Sequence, residues 1–185
     1  MEEKEINILI SGGTSSLGKA FLEYGQHQSR KIFIYNRHKQ KIFSWTNRSH
    51  KSEKQNYDQN IEFDIYINFS NIYGREGEKM SDLFACNIGF PIELLMNIKK
   101  SQNFLFINSG TMLNELTNWY AFSKSILSEN SLRKLVRKDI RYLNLRLQNF
   151  YGKYDSSETI FKSIYKSFVL RRSYFRKNLT SDNLR

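Results

Sequence analysis

A tyrosine and a lysine stand four residues apart in Tyr120-Ala-Phe-Ser-Lys124, with Ser109 upstream. A phenol near its reference pKa of ~10 is a poor base at neutral pH. A lysine one helical turn later shares its face and lowers that pKa by its charge. A serine hydroxyl can then orient a carbonyl or hydroxyl oxygen, so the three suit proton transfer at such an oxygen. A surface tyrosine with a lysine at i+4 is commonplace, and the pattern gains weight from its place in an ordered series. Ser11-Gly-Gly-Thr-Ser-Ser-Leu-Gly18 follows the first apolar run, Phe104-Leu-Phe-Ile-Asn-Ser-Gly-Thr111 is a strand ending in hydroxyls, and Leu145-Arg-Leu-Gln-Asn-Phe-Tyr-Gly152 follows the tyrosine helix. That order suits a dinucleotide-binding fold carrying a hydroxyl-based proton-transfer site.

In the glycine turn, Gly12 permits the tight bend and Gly18 lets a helix pack on the strand. The helix start, from Thr14 and Ser15 to Leu17, offers N–H groups to a pyrophosphate. A Gly-x-x-Gly-x-x-Gly pattern would put glycine where Ser15 stands; that side chain either crowds the pyrophosphate or bonds to it. The second strand ends Tyr35-Asn36-Arg37-His38-Lys39. An acidic residue here would serve the ribose of NAD, whereas an arginine accommodates the extra phosphate of NADP. Asn36 and Arg37 with no carboxylate therefore favour NADP, with NAD still open and a solvated basic loop as the plain alternative. Asn87 sits mid-helix, where asparagine is locally unfavourable, and either bonds neighbouring loops or holds a water. Asn149 ends the last strand on the same edge as Ser109; its amide either binds a substrate phosphate or sugar or forms a turn.

These residues need elements to position them. Apolar runs at Ile6–Ile10, Lys31–Tyr35, Phe63–Phe69, Phe104–Ile107 and Arg141–Leu147 read as strands. Helical spacing marks Leu17–Tyr24, Ser81–Lys99 with an interruption at Gly89-Phe-Pro91, Trp119–Val136 and Thr159–Leu170. In the third of these, Phe122, Ile126, Leu127, Leu132, Leu135 and Val136 fall on one side. The stretch Arg37–Asn60 is polar, anchored only by Ile42, Phe43 and Trp45. Strands alternating with helices make an α/β fold: a doubly wound parallel sheet with helices on both faces. Ligands on such sheets bind outside the carboxyl ends of the strands, where Gly12–Gly18, Ser109–Thr111 and Asn149–Gly152 all fall.

Composition removes other classes. At 185 residues the chain builds one core, and no apolar run approaches the ~20 residues that span a bilayer. The acidic start Met1-Glu-Glu-Lys-Glu5 is unlike a secretory signal, and the lone Cys86 suits a reducing cytoplasm, so a cytoplasmic protein without a membrane partner is expected. His27, His38 and His50 lack ligand-like spacing, so no metal site is expected. The net charge of +11 comes without a nucleic-acid motif and reads as a solvated basic surface, with nucleic acid not expected as a partner.

Together these residues resemble the extended short-chain dehydrogenase/reductase superfamily, and within it the NAD(P)-dependent nucleotide-sugar epimerase/dehydratase family. The resemblance covers about residues 6–170 and implies a Rossmann-like NAD(P)-binding domain over 1–170 with a basic tail at 171–185. It puts Ser109 at the catalytic hydroxyl position and makes Tyr120 and Lys124 the catalytic pair, both also touching cofactor. It places Asp64-Ile-Tyr-Ile-Asn-Phe-Ser70 against the adenosine side of the cofactor, hence Phe69 and Ser70, with Asn87 nearby. The segment ending Asn149-Phe-Tyr-Gly152 is similar to one whose asparagine contacts the nucleotide sugar, and Ser109 and Thr111 face the same substrate. Ile72-Tyr-Gly-Arg75, the Asn87…Pro91 helix and Phe106-Ile-Asn108 look most like the bacterial CDP-abequose and CDP-paratose synthase group, which are 4-keto-sugar reductases of surface-polysaccharide (O-antigen) synthesis.

The activity so implied is hydride delivery to the C4 keto carbon of a nucleoside-diphosphate sugar, with Tyr120 supplying the proton, Lys124 holding the ribose and Ser109 bonding the keto oxygen. A C4 epimerase is the near alternative. A 4,6-dehydratase would carry an acidic pair where Gly110 and Thr111 stand. A non-catalytic cofactor-binding protein is the alternative from another class. Family members pair through the helices at Ser81–Lys99 and Trp119–Val136, implying a homodimer with Leu94, Leu95 and Ile98 near its interface. Three departures stand out: Ser15, the short spacing from Ser109 to Tyr120, and the 33 residues after Gly152, too few for the family's C-terminal substrate domain. A truncated member that binds cofactor better than it turns over sugar is the expectation.

Overall fold

The computed structural model describes residues 5–24, 30–36, 41–45, 60–127, 132, 140–148 and 154. The chain divides into two compact units, Met1–Gln148 and Asn149–Arg185, and every strand and helix described belongs to the first. Arg37, Asn149–Gly152, the expected helix at Thr159–Leu170 and the basic tail lie outside the described residues.

Six strands form one sheet. β1 (Ile6–Ser11), β2 (Arg30–Asn36), β4 (Phe63–Asn68), β5 (Lys100–Thr111) and β6 (Arg141–Leu147) run parallel, and β3 (Lys41–Trp45) closes one edge antiparallel to β2. The spatial order is β3-β2-β1-β4-β5-β6. Alternation along each strand feeds two cores. Ile8, Ile10, Ile32 and Ile67 pack against Leu22 and the half-buried Leu17 and Phe21 of α1 (Ser16–Tyr24). Leu9, Phe33, Phe63, Tyr66 and Phe106 point the other way and meet helices that follow β4 and β5. Burial on both faces is what makes these strands continuously apolar, and it makes the fold the doubly wound, Rossmann-like α/β architecture that the sequence pattern implies.

β3 is a departure. It lies in the polar stretch with no pattern beyond three anchors, yet Ile42 pairs with Tyr35 and is buried in the core. An antiparallel edge strand on an otherwise parallel sheet is a common closure. β5 is also longer than its apolar run, because pairing with β6 continues through Ser109↔Leu145 to Thr111↔Leu147.

The helix expected at Ser81–Lys99 is three joined segments. α2 (Met80–Phe84) passes into a π turn (Ala85–Gly89) and on into α3 (Phe90–Asn97) without leaving helical backbone. Pro91 has no N–H for the carbonyl four residues back, and its ring would strike that carbonyl. Widening the turn by one residue relieves both problems and turns Asn87 fully inward. α4 (Trp119–Ile126) is capped by Asn118, whose Oδ1 accepts the N–H of Ala121 at 2.8 Å.

Two placements differ from expectation. Leu94, Leu95 and Ile98 are buried in the chain's own core, so the amphipathic stripe they form faces the sheet and cannot line a surface. Phe122 lies away from the buried Leu127 and Leu132, and is 38% exposed. It joins Phe84 and Trp119 in a cluster on the outer side of α2 and α4, with ring centroids 5.9–6.3 Å apart. Leu135 and Val136 lie outside the described residues. No helix among the described residues is long and apolar enough to cross a membrane.

Candidate active site

The site begins at the crevice between β1 and β4. Gly12 has a φ of 73°, a left-handed conformation that disfavours any side chain. A Cβ there would lie 2.5 Å from the carbonyl carbon of Phe69 and the nitrogen of Ser70. The turn after β1 thus presses on the residues leaving β4, where the strand order switches direction. A Cβ on Gly18 would lie 2.3 Å from the Gly12 carbonyl oxygen, so glycine there lets α1 sit against the turn. Ser15, the residue out of pattern, is an N-cap: its Oγ accepts the N–H of Gly18 at 3.1 Å. Thr14 is exposed beside it and Leu17 packs into the core. A tight glycine turn opening a capped helix at a switch point fits the diphosphate of a dinucleotide.

Beneath this edge runs a ladder of side chains across four strands. The Ser11 hydroxyl donates to Asn68 Oδ1 at 2.7 Å, Asn68 Nδ2 donates to Asn108 Oδ1 at 2.9 Å, and Asn108 Nδ2 donates to Asn144 Oδ1 at 3.1 Å. Ser11, Asn68, Asn108 and Asn144 share one register row. Ser70 N also donates to Asn68 Oδ1, which ties the turn after β4 to the ladder. The ladder explains Gly110, since a Cβ there would lie 2.5 Å from Asn144 Oδ1. Sequence reading missed the row; Asn68 and Asn108, each closing an apolar run, were the available signal, while Asn144 stands in mid-run.

Ser109, Tyr120 and Lys124 are brought together. The Lys124 ammonium is buried and donates to the Ser109 carbonyl oxygen at 3.0 Å. It lies 6.0 Å from the centre of the Tyr120 ring. Thr111, half-buried, accepts the N–H of Leu113 with its hydroxyl at 3.2 Å. Asn87 holds the surroundings: Oδ1 accepts the N–H of Ile72 at 2.9 Å, while Nδ2 donates to the Ile72 carbonyl at 3.0 Å and to Ser123 Oγ at 2.9 Å. Ser123 in turn donates to the Tyr120 carbonyl at 2.8 Å. Asn87 thus bonds a neighbouring loop, one of the two roles its position suggested. Asn36 ends β2.

Electrostatics here differ from the simple tyrosine–lysine picture. Burial, then the neighbouring Tyr73, push the Tyr120 phenol up to about 12, against a lowering by the hydrogen bond from Asn71 and by Arg75. Lys124 is directed at the Ser109 carbonyl rather than at the phenol, so desolvation prevails over its charge. Burial pulls Lys124 itself down to about 8, with Cys86 acting weakly in the opposite direction.

That shift has a consequence for stability. Between about pH 8 and 10.5 the unfolded chain keeps the lysine proton that the folded chain has lost, so this group's contribution to stability rises with pH across that window. Below pH 8 the full cost of burying the charge, on the order of 3 kcal/mol, is present. Lys124→Met removes that cost but leaves the Ser109 carbonyl unpaired, which costs ~1–3 kcal/mol. The variant is expected to be more stable than the parent by about 1 kcal/mol at pH 7, and the gain should vanish by about pH 10. Denaturant unfolding at both pH values checks this.

Comparison with known proteins agrees with the geometry. The CDP-abequose synthase of Salmonella muenchen is 23% identical over 107 residues, which are 54% of this chain and 36% of that enzyme. The UDP-glucuronic acid 4-epimerase from Bacillus cereus, solved in complex with NAD, superposes with a TM-score of 0.66 at 15% identity, covering 90% of this chain and 63% of that one. The ADP-L-glycero-D-manno-heptose-6-epimerase of Helicobacter pylori gives 0.60 at 18%, covering 83% and 59%. The chain therefore spans about a third of the curated relative and about three-fifths of these structures. A family model matches residues 8–175, and the chain belongs to the NAD dependent epimerase/dehydratase family.

Proposed function

We propose that this protein is a nucleotide-sugar oxidoreductase of the 4-keto-sugar reductase type, acting in bacterial surface-polysaccharide synthesis. The Lys124 ammonium, bonded to the Ser109 carbonyl and close to the Tyr120 ring, carries the reading, with the tight Gly12 turn after β1 in support. The bound dinucleotide would supply hydride to the C4 keto carbon. The Gly12–Gly18 turn, with Thr14, Ser15 and Leu17, would hold its diphosphate, Phe69 and Ser70 its adenosine side, and Lys124 its ribose, with the Tyr120 ring packed beside it. Asn87 would act by fixing the loop at Ile72. Asn36 and Arg37 would favour NADP. On the substrate side Ser109 would bond the keto oxygen, with Thr111 and Asn149 contacting the sugar nucleotide.

The protonated phenol is compatible with proton donation in a reduction. A group at about 12 keeps its proton at neutral pH, as a donor to a nascent alkoxide must. A C4 epimerase is the second reading, supported by the two epimerases among the similar structures. The test supplies a 4-keto nucleoside-diphosphate sugar with NADPH or NADH and follows absorbance at 340 nm. Cofactor oxidation in step with keto-sugar reduction is expected, slow beside cofactor binding. Conversion of a non-keto sugar nucleotide without net cofactor change would favour the epimerase, and binding without either conversion the non-catalytic reading.

A homodimer through α2, α3 and α4 belongs to the same proposal. Among the described residues Trp119, 58% exposed, Phe122, Met96 and Met80 are the large outward apolar residues there. Trp119→Ser with Phe122→Ser is expected to give a monomer by light scattering where the parent chain is a dimer.

A further inference from the structure

The loop between β4 and α2, residues 69–79, leaves the sheet at Phe69 and Ser70. It carries Tyr73 onto Tyr120, with ring centroids 4.8 Å apart and planes at 41°. The Arg75 guanidinium carbon lies 5.1 Å from the Tyr73 ring centre. With Lys124 6.0 Å from the Tyr120 ring, the four side chains form a sequence of cation, ring, ring, cation. The root of the loop is fixed where Asn87 grips Ile72. Beyond it Gly74 and Gly77, with φ of 70° and 79°, flank Arg75 and its neighbour Glu76. Tyr73 is 44% exposed, so it covers Tyr120 while itself open to solvent. Among the described residues no carboxylate lies at ion-pair distance from Arg75; Glu78 instead accepts the N–H of Glu76 at 2.7 Å.

Tyr73 therefore occupies a face of the one phenol that the proposed reaction needs, and an exposed guanidinium rests on the covering ring. A planar guanidinium on an exposed ring is weakly held, whereas its fork matches phosphate oxygens with charge-assisted bonds. We propose that Tyr73 and Arg75 form a movable cover on Tyr120 that recognises the diphosphate of the sugar nucleotide: Arg75 exchanges the Tyr73 ring for the diphosphate, and Tyr73 leaves the phenol. Tyr73 is then a positioning residue that shields Tyr120 from water until substrate arrives, and Arg75 a substrate-recognition residue. This rests on the nucleotide-sugar reading.

The test titrates CDP, UDP and inorganic pyrophosphate into the chain by calorimetry, with and without saturating NADPH, so that binding at the cofactor's own diphosphate site is separated. The parent is compared with Arg75→Gln, Tyr73→Ala and the bulkier Tyr73→Leu. Arg75→Gln is expected to weaken nucleoside diphosphate binding about tenfold. Both Tyr73 substitutions are expected to tighten it roughly threefold, because the self-contact no longer competes. NADPH affinity should stay within about twofold in all three. Nitration of Tyr120, read by mass spectrometry, should rise in Tyr73→Ala and, in the parent, on adding CDP. Opposite signs for neighbouring substitutions are not what general loosening of a loop gives. If all three variants weaken binding alike, or none changes it, the cover is wrong while the nucleotide-sugar reading stands. If the NADPH-loaded parent binds neither CDP nor UDP, that reading fails and the cover falls with it.

Discussion

Tyr120→Phe should lower hydride transfer to a 4-keto sugar nucleotide by about 10²–10⁴-fold while NADPH affinity stays within about twofold. The ring is held between Tyr73 and the Lys124 ammonium, and phenylalanine keeps that packing. Only the oxygen bonded to Asn71 is removed. The Ser109 carbonyl, the Lys124 amine and the glycine turn stay in place, so the loss should fall on kcat and on kcat/KM alike. Stopped-flow absorbance at 340 nm beside cofactor titration makes the measurement. A variant keeping a tenth or more of the parent rate would remove the phenol from the role of proton donor.

The largest effect on folding is expected at Gly12. Gly12→Ala forces a side chain into a left-handed conformation and drives its Cβ to 2.5 Å from main-chain atoms of Phe69 and Ser70. Both neighbours are backbone, so neither can swing aside. The two effects sum to about 3 kcal/mol, or roughly 6–12 °C in Tm for a chain of this size. Gly89→Ala is the matched control. Its backbone is right-handed helical and a Cβ there meets nothing within 4 Å. The control should stabilise by ~0.5–1 kcal/mol through helix propensity. Thermal unfolding of the pair should move in opposite directions.

How much of this was legible in the sequence follows from the range of each interaction. The parallel strands and the α1 turn were readable because burial on both faces and a glycine bend leave local signals, as in Ile6–Ser11 and Gly12–Gly18. The helix carrying Tyr120 and Lys124 was readable from i+4 spacing, and in the structure Lys124 reaches the Ser109 carbonyl and lies near the Tyr120 ring. β3 was not, since five residues held by a neighbouring strand alternate too briefly to separate from a loop. The π turn showed only as an interruption, because Pro91 says that a hydrogen bond is lost but not how the backbone absorbs it. Ser15 read as a defect because a missing glycine is visible in sequence and a cap to Gly18 is not. The asparagine ladder and the Tyr73–Tyr120 contact join residues 36 to 57 positions apart, and no local pattern predicts such pairs. The direction of the Tyr120 shift was missed for the same reason, since burial first and Tyr73 second, both supplied from elsewhere in the chain, set it.

The central claim is that the turn after β1 and the Tyr120–Lys124 helix build one dinucleotide site. Calorimetric titration of the 185-residue chain with NADPH and with NADH tests it most directly. One molecule should bind per chain, NADPH more tightly than NADH, and binding should be lost in Gly12→Ala at a temperature where that variant is still folded by circular dichroism. A folded parent chain that takes up neither dinucleotide would contradict the account.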